Sequence, residues 1–255
     1  MKIKQLFLLG IISYLVFLCI YAPASLLGSL LSQLTNGRLG LAASQGSLWK
    51  GSASLLLNGL EASGTSVDVE KLNLGKISWD TQPLQLLAGK LSVSLIWNDG
   101  APFWITQDTS RLHIEHAAFN LPSEVVSVLV PTLKAAQLGG QLAVRCDNFS
   151  LTRREILGQL DIDWSQASSP LSTVSPLGSY HARLDGIGSA LNIRLETQGD
   201  SPLIMQGSGH WAATEGLHFD GTAEANPASK VQLQALLRVM GNETSAGSGR
   251  YQLKF

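Results

Sequence analysis

Beyond the first forty residues the hydrophobic positions recur with a period of two. Leu91, Val93, Leu95 and Trp97 alternate with Ser92, Ser94 and Ile96, and Leu142, Val144 and Cys146 alternate with Gln141, Ala143 and Arg145. Leu160, Ile162 and Trp164 alternate with Asp161 and Asp163, and Leu191, Ile193 and Leu195 with Asn192, Arg194 and Glu196. Leu217 and Phe219 follow the same rule, and the chain closes on Tyr251, Leu253 and Phe255. This pattern predicts antiparallel strands with one face buried and the other wet. Asn58-Gly59, Asn98-Asp99-Gly100, Gly139-Gly140, Asp185-Gly186 and Gly199-Asp200 supply turn chemistry between the runs. Helical spacing is confined to three places. Residues 123–133 carry Val125, Val126, Leu129 and Val130 after the start signals Pro122 and Ser123, and Pro131 limits the length. Residues 228–240 carry Val231, Leu233, Leu236, Leu237 and Met240, with Gly241 expected to end the helix. Residues 83–87 can form one turn. The expected fold is mainly β: an N-terminal transmembrane helix, then a curved, largely antiparallel sheet, half-barrel or sandwich-like, with one or two short helices.

The start of the chain follows a different pattern. Lys2 and Lys4 precede an uncharged run at 6–22, and the next cation is Arg38. A hydrocarbon core about 30 Å thick needs about 20 apolar residues in a helix, which this stretch supplies. Lysines on its N-terminal side place that end in the cytoplasm. The expected organisation is a cytoplasmic tail at 1–4, an anchor at 5–25 and a periplasmic β-rich domain at 26–255. Ala22-Pro23-Ala24 imitates a signal-peptidase site, but the apolar run exceeds the usual roughly 7–15 residues, which favours a retained anchor. Residues 46–97 and 140–164 echo each other in order of strands and closing tryptophan. They suggest two related sheet modules, about 40–100 and 139–255, with 101–138 bridging them.

Composition narrows the function. The formal net charge is −1 and charged residues are 15% of the chain, so there is no basic stripe for nucleic acid. The two cysteines, Cys19 in the span and Cys146 far outside it, cannot pair within one molecule. Cys146 is expected to be a small buried hydrophobe. His113 and His116 flank Glu115, but residues three apart on a strand point to opposite faces, so a shared metal needs a bulge. Asp161 and Asp163 share a face and are expected to be a solvated polar surface. No nucleophile elbow, zincin helix, Walker loop, C-x-x-C or dinucleotide fingerprint occurs. No catalytic, cofactor-binding or metal-binding residue is therefore expected, and no single histidine or aspartate should be indispensable. The six tryptophans read as core and edge packing, or as anchors on a partner surface. Trp49, bracketed by two glycines, is expected to be buried.

Gly46-Ser47-Leu48-Trp49-Lys50-Gly51, followed by alternating Ala53, Leu55 and Leu57, resembles the G-T-L-W-x-G opening of the type II secretion system protein N family, with Ser47 in place of the usual threonine. Trp79, Pro83, Leu86, Leu87, Gly89 and Leu91 are similar to that family's next block. Gly207-x-Gly209-x-Trp211 with Phe219, Gly221 and Ala223 resembles its C-terminal strands, and Leu236, Leu237 and Gly241 its last short helix. The resemblance implies an inner-membrane, periplasm-facing component of the machine that exports folded proteins through an outer-membrane secretin, with no catalytic residues and no cofactor. Its partners would be other secretion components, inner-membrane subunits or the secretin, with membrane lipid around the anchor and no nucleic acid. Gly46, Leu48, Trp49, Gly51, Trp79, Pro83, Leu86, Leu87, Gly89 and Trp211 are the candidate structural or interface residues. The family also looks related to AsmA-like proteins, whose long curved sheets carry an apolar inner face. That kinship implies lipid binding or transfer as the alternative.

Overall fold

The computed structural model describes residues 21–58, 71–126, 135–152, 154–245 and 247–254, with Phe7, Ser13 and Phe17. Most of the apolar run at 6–22 lies outside them, as do Cys19, Gly59, Phe255 and the second half of the helix expected at 123–133. No helix among the described residues is long and apolar enough to cross a membrane. The chain divides into two compact units, residues 1–99 and 100–255. Residues 101–138, read from the sequence as a bridge, supply the first two strands of the second unit.

In the first unit, helix α1 (Ser25–Leu34) leads into four strands: β1 (Leu39–Gly46), β2 (Lys50–Asn58), β3 (Lys71–Thr81) and β4 (Leu91–Trp97). Each strand pairs antiparallel with the next. The register places Leu41, Leu55, Ile77, Trp79, Leu95 and Trp97 on one face, as the alternation predicts. Leu27 of α1 packs there against Ala24, Ala53 and Trp79. The helical turn expected at 83–87 is a 3-10 turn, Pro83–Ala88, which ends on Gly89 in the left-handed conformation at φ 71°.

The second unit is a meander of β5 (Pro102–Gln107), β6 (Arg111–Pro122), β7 (Gly139–Thr152), β8 (Ile156–Ser168), β9 (Gly178–Ile187), β10 (Ala190–Gln198), β11 (Leu203–Ala212) and β12 (Gly216–Ala225). Helix α2 (Lys230–Met240) then carries the chain to β13 (Asn242–Glu243) and β14 (Arg250–Lys254). The strand order ends β12-β14-β13, so the outermost strand is two residues long. A very short edge strand offers little backbone for another chain to pair with. Within each unit the sheet is a single layer with a helix on one face, not the two facing sheets that a sandwich requires.

Helix α2 closes the core of the second unit. Leu233, Leu236, Leu237 and Met240 are buried against Tyr180, Leu203, Met205, Ala223, Tyr251 and Leu253. Each such side chain contributes about 1.5–3 kcal/mol by burial. The Tyr180 hydroxyl donates to the Leu203 carbonyl at 2.8 Å, and burial pushes its pKa upward. Gly241 ends the helix, as expected, in an extended conformation. It is glycine because any side chain there would run into the Gln252 carbonyl of β14. Cys146 is buried as expected, and burial, aided by the Asp147 carboxylate, pushes its thiol pKa up.

Replacing Leu236 with alanine should cost about 2–5 kcal/mol, the usual loss for a fully buried leucine. Val231 is 84% exposed on the same helix, and Val231→Ala should stay within about 0.5 kcal/mol. Urea unfolding of the purified full chain compares the two.

Candidate functional site

The first unit brings the Gly46–Gly51 block against the residues that follow the apolar run. Leu48 N–H donates to the Ala22 carbonyl at 2.8 Å, and Ala24 N–H donates to the Gly46 carbonyl at 3.2 Å. Pro23 and Ser47 form an isolated antiparallel bridge between these bonds. Ala22 and Ala24 are both buried. The exit from the apolar run is thus stitched to the β1–β2 turn.

Ser47 shapes that turn. Its N–H donates to the Lys50 carbonyl at 2.8 Å, while its hydroxyl oxygen accepts from the Trp49 and Lys50 amides at 3.3 and 3.1 Å. Threonine carries the same hydroxyl, so serine preserves this turn-making role. Gly46 adopts φ 88°, which a side chain would strain.

Trp79 locks the turn to the sheet. Its ring lies over Gly51, where a Cβ would sit 2.7 Å from the indole. Its indole N–H is shared between the carbonyls of Ser47 and Leu48, at 3.1 and 3.2 Å. It is buried, whereas Trp49 is half-buried, correcting the expectation that Trp49 is the packed tryptophan. Trp49 instead contributes its carbonyl, which accepts from Thr81 N–H at 2.7 Å. The second unit repeats the device: Trp164 N–H donates to the Gly139 carbonyl at 3.2 Å beside Gly140, whose φ is 119°.

Of the ten candidate residues, Gly46, Leu48, Trp49, Gly51 and Trp79 meet at this turn. Pro83, Leu86, Leu87 and Gly89 form the 3-10 turn after β3 and its cap. Strand directions put that turn at the same end of the first unit, because β1 and β3 end there while β2 and β4 begin there. Leu84 and Leu86 are exposed on it, Leu84 at 80%. Trp211 lies in the second unit on β11 and is exposed. The Gly-x-Gly before it is explained by Phe219, whose ring crosses the backbone of Gly207, Gly209 and Gly221.

Two polar groupings escaped the sequence reading. Asp161 and Asp163 are not simply solvated: His181 reaches both, with Nδ1 2.8 Å from Asp163 and Nε2 3.3 Å from Asp161. Arg145 pairs with Asp163, and Gln198 donates to it at 3.1 Å. Partial burial pushes the Asp163 carboxyl pKa upward, but His181, Arg145 and Gln198 outweigh it and hold the net value below the usual one. The second grouping is His210, Glu215 and His218, the one set of three metal-capable side chains that converges among the described residues. Its sequence signal was the hairpin itself, since both histidines are equidistant from the 213–215 turn. His113 pairs with Glu115 at 3.1 Å, and no such set of three forms around it.

Trp79→Ala should lower stability by about 3–5 kcal/mol, and Trp49→Ala by less than half of that. Melting of the purified full chain ranks them, and an equal loss would contradict the Trp79 lock. Asp163 is held in its charged form in the fold, so its contribution is present above the unfolded value of about 3.9 and is lost as pH falls through the lower folded value. The stability gap between wild type and Asp163→Asn should therefore be open at pH 7 and narrow from about pH 4 downward. Urea unfolding at both pH values measures it.

No curated protein and no solved structure matches the chain. The family model for the type II secretion system, protein N, matches residues 37–254, which include the Gly46–Gly51 turn, Trp79, the 3-10 turn and the Gly207–Trp211 strand. The match runs from just before β1 to the end of β14, and on that extent the chain belongs to the type II secretion system protein N family.

Proposed function

We propose that this chain is a non-enzymatic inner-membrane component of the type II secretion apparatus, with a retained N-terminal span and both sheet units in the periplasm. It helps export folded proteins across the outer membrane through contacts with other secretion subunits. The observation that carries this reading is the leucine row on α1. Leu26, Leu30 and Leu34 recur at every fourth position and are exposed, Leu34 at 82%, while Leu27 packs on the sheet. No charged residue interrupts the chain between Lys4 and Arg38. A contiguous exposed apolar row on a helix fits a partner surface. The stitched exit segment supports retention of the span: cleavage after Ala24 would remove the bonds to Gly46 and Leu48 and the buried Ala22 and Ala24.

The alternative is a lipid-binding module. It draws on Leu41, Ile77, Val93 and Leu95, which share the apolar face of the first unit and are only half-buried. A lipid recovered in fixed proportion with the purified chain would favour it.

A photocrosslinker at Leu34 or Leu84 should trap another secretion subunit in intact envelopes. Leu30→Glu should abolish secretion while changing the stability of the isolated chain by less than about 0.5 kcal/mol, because the site is exposed. Reporter fusions after Ser44 should be active only as periplasmic reporters. Cytoplasmic activity there would overturn the topology, and a mature N-terminus at Ser25 would overturn the anchor.

A further inference from the structure

The β11–β12 hairpin carries a constellation that the secretion reading does not use. His210 and His218 are direct cross-strand partners, and their rings stack with centroids 5.2 Å apart. Both lie on the face opposite Gly209, Trp211, Leu217 and Phe219, since successive strand residues alternate sides. The connecting loop is three residues, 213–215, closed by the Ala212–Gly216 pair and by Glu215 N–H donating to the Ala212 carbonyl at 3.3 Å. That loop returns the Glu215 carboxylate to 3.5 Å from His210 Nε2. One nitrogen from each histidine and one carboxylate oxygen lie within 4.8 Å of one another.

We propose that this hairpin binds a divalent first-row transition metal, zinc above all, through His210, His218 and Glu215. Two imidazoles with one carboxylate suit zinc, copper or nickel, whereas magnesium and calcium take oxygen donors. Zinc–ligand bonds are about 2.0–2.2 Å long, so donors around one ion stand closer together than the present spread. The side chains are free to close that gap: His210 is 45% and Glu215 62% exposed, and small rotamer shifts suffice. The backbone beneath is held still, because Phe219 lies across Gly207, Gly209 and Gly221 on the other face. Three protein ligands leave one tetrahedral position open, for water or for a donor side chain of another protein.

The test uses the purified full chain in detergent, stripped with a chelator and dialysed against zinc chloride. Wild type should retain one zinc per chain after desalting, melt at a higher temperature with zinc than without it, and ignore magnesium. His210→Ala and His218→Ala should each weaken zinc binding by at least about tenfold, the smallest loss that even an outer-shell change brings. Glu215→Gln should give a smaller loss. His113→Ala and His181→Ala should bind zinc as wild type does. All three ligands are on the exposed face, so the variants should melt as wild type does in the absence of zinc. Zinc that washes out on desalting, or that stays bound after both hairpin histidines are replaced, overturns the proposal.

Discussion

A sheet one layer thick has two faces, and an alternating sequence makes one of them apolar. Everything else in this protein follows from the need to cover that face. In the second unit α2 does so with four buried side chains, helped by the 167–177 loop and Leu138. In the first unit α1 covers only part of the face, leaving Leu41, Ile77, Val93 and Leu95 half-buried. Its own outer side then presents Leu26, Leu30 and Leu34. The unit with the thinner cover is also the one joined to the apolar N-terminal run. A partner, a lipid or both are the physical completions that such a surface allows.

The second device is the tryptophan that reaches over a glycine. At Trp79 the glycine gives the ring room to lie flat, and the indole N–H satisfies carbonyls that a tight turn would otherwise leave unpaired. This couples three stretches separated in sequence: the exit of the apolar run, the β1–β2 turn and the end of β3. The family motif is thereby held together by packing and hydrogen bonds. Its glycines, serine and tryptophan each have a structural partner. The polar groupings of Asp163 with His181 and of His210 with His218 lie in the second unit.

Much of the architecture was legible in the chain before folding. Alternation at 91–97 and 191–196 gave β4 and β10 nearly to the residue, the spacing at 228–240 gave α2, and Pro83 with Gly89 gave the 3-10 turn. These features are legible because strand and helix periods are local, and because proline and glycine restrict the backbone wherever they stand. The block around Trp49 also identified the family.

What the sequence could not assign was which member of a pattern does the packing. It pointed to Trp49, whereas Trp79 is the buried lock, because the glycine that receives the ring lies on the neighbouring strand. It treated Asp163 as solvated, whereas His181 from β9 and Gln198 from β10 close on it. It weighed His113 and His116, which could share a metal only through a bulge, whereas the histidines that meet are eight residues apart across a hairpin. It made Gly241 the end of α2, but the reason that residue is glycine is a carbonyl of β14 that leaves no room for a side chain. In each case the sequence determined the period, the turns and the family by itself. Strand register decided the neighbours, since pairing brings together residues whose separation along the chain carries no local signal.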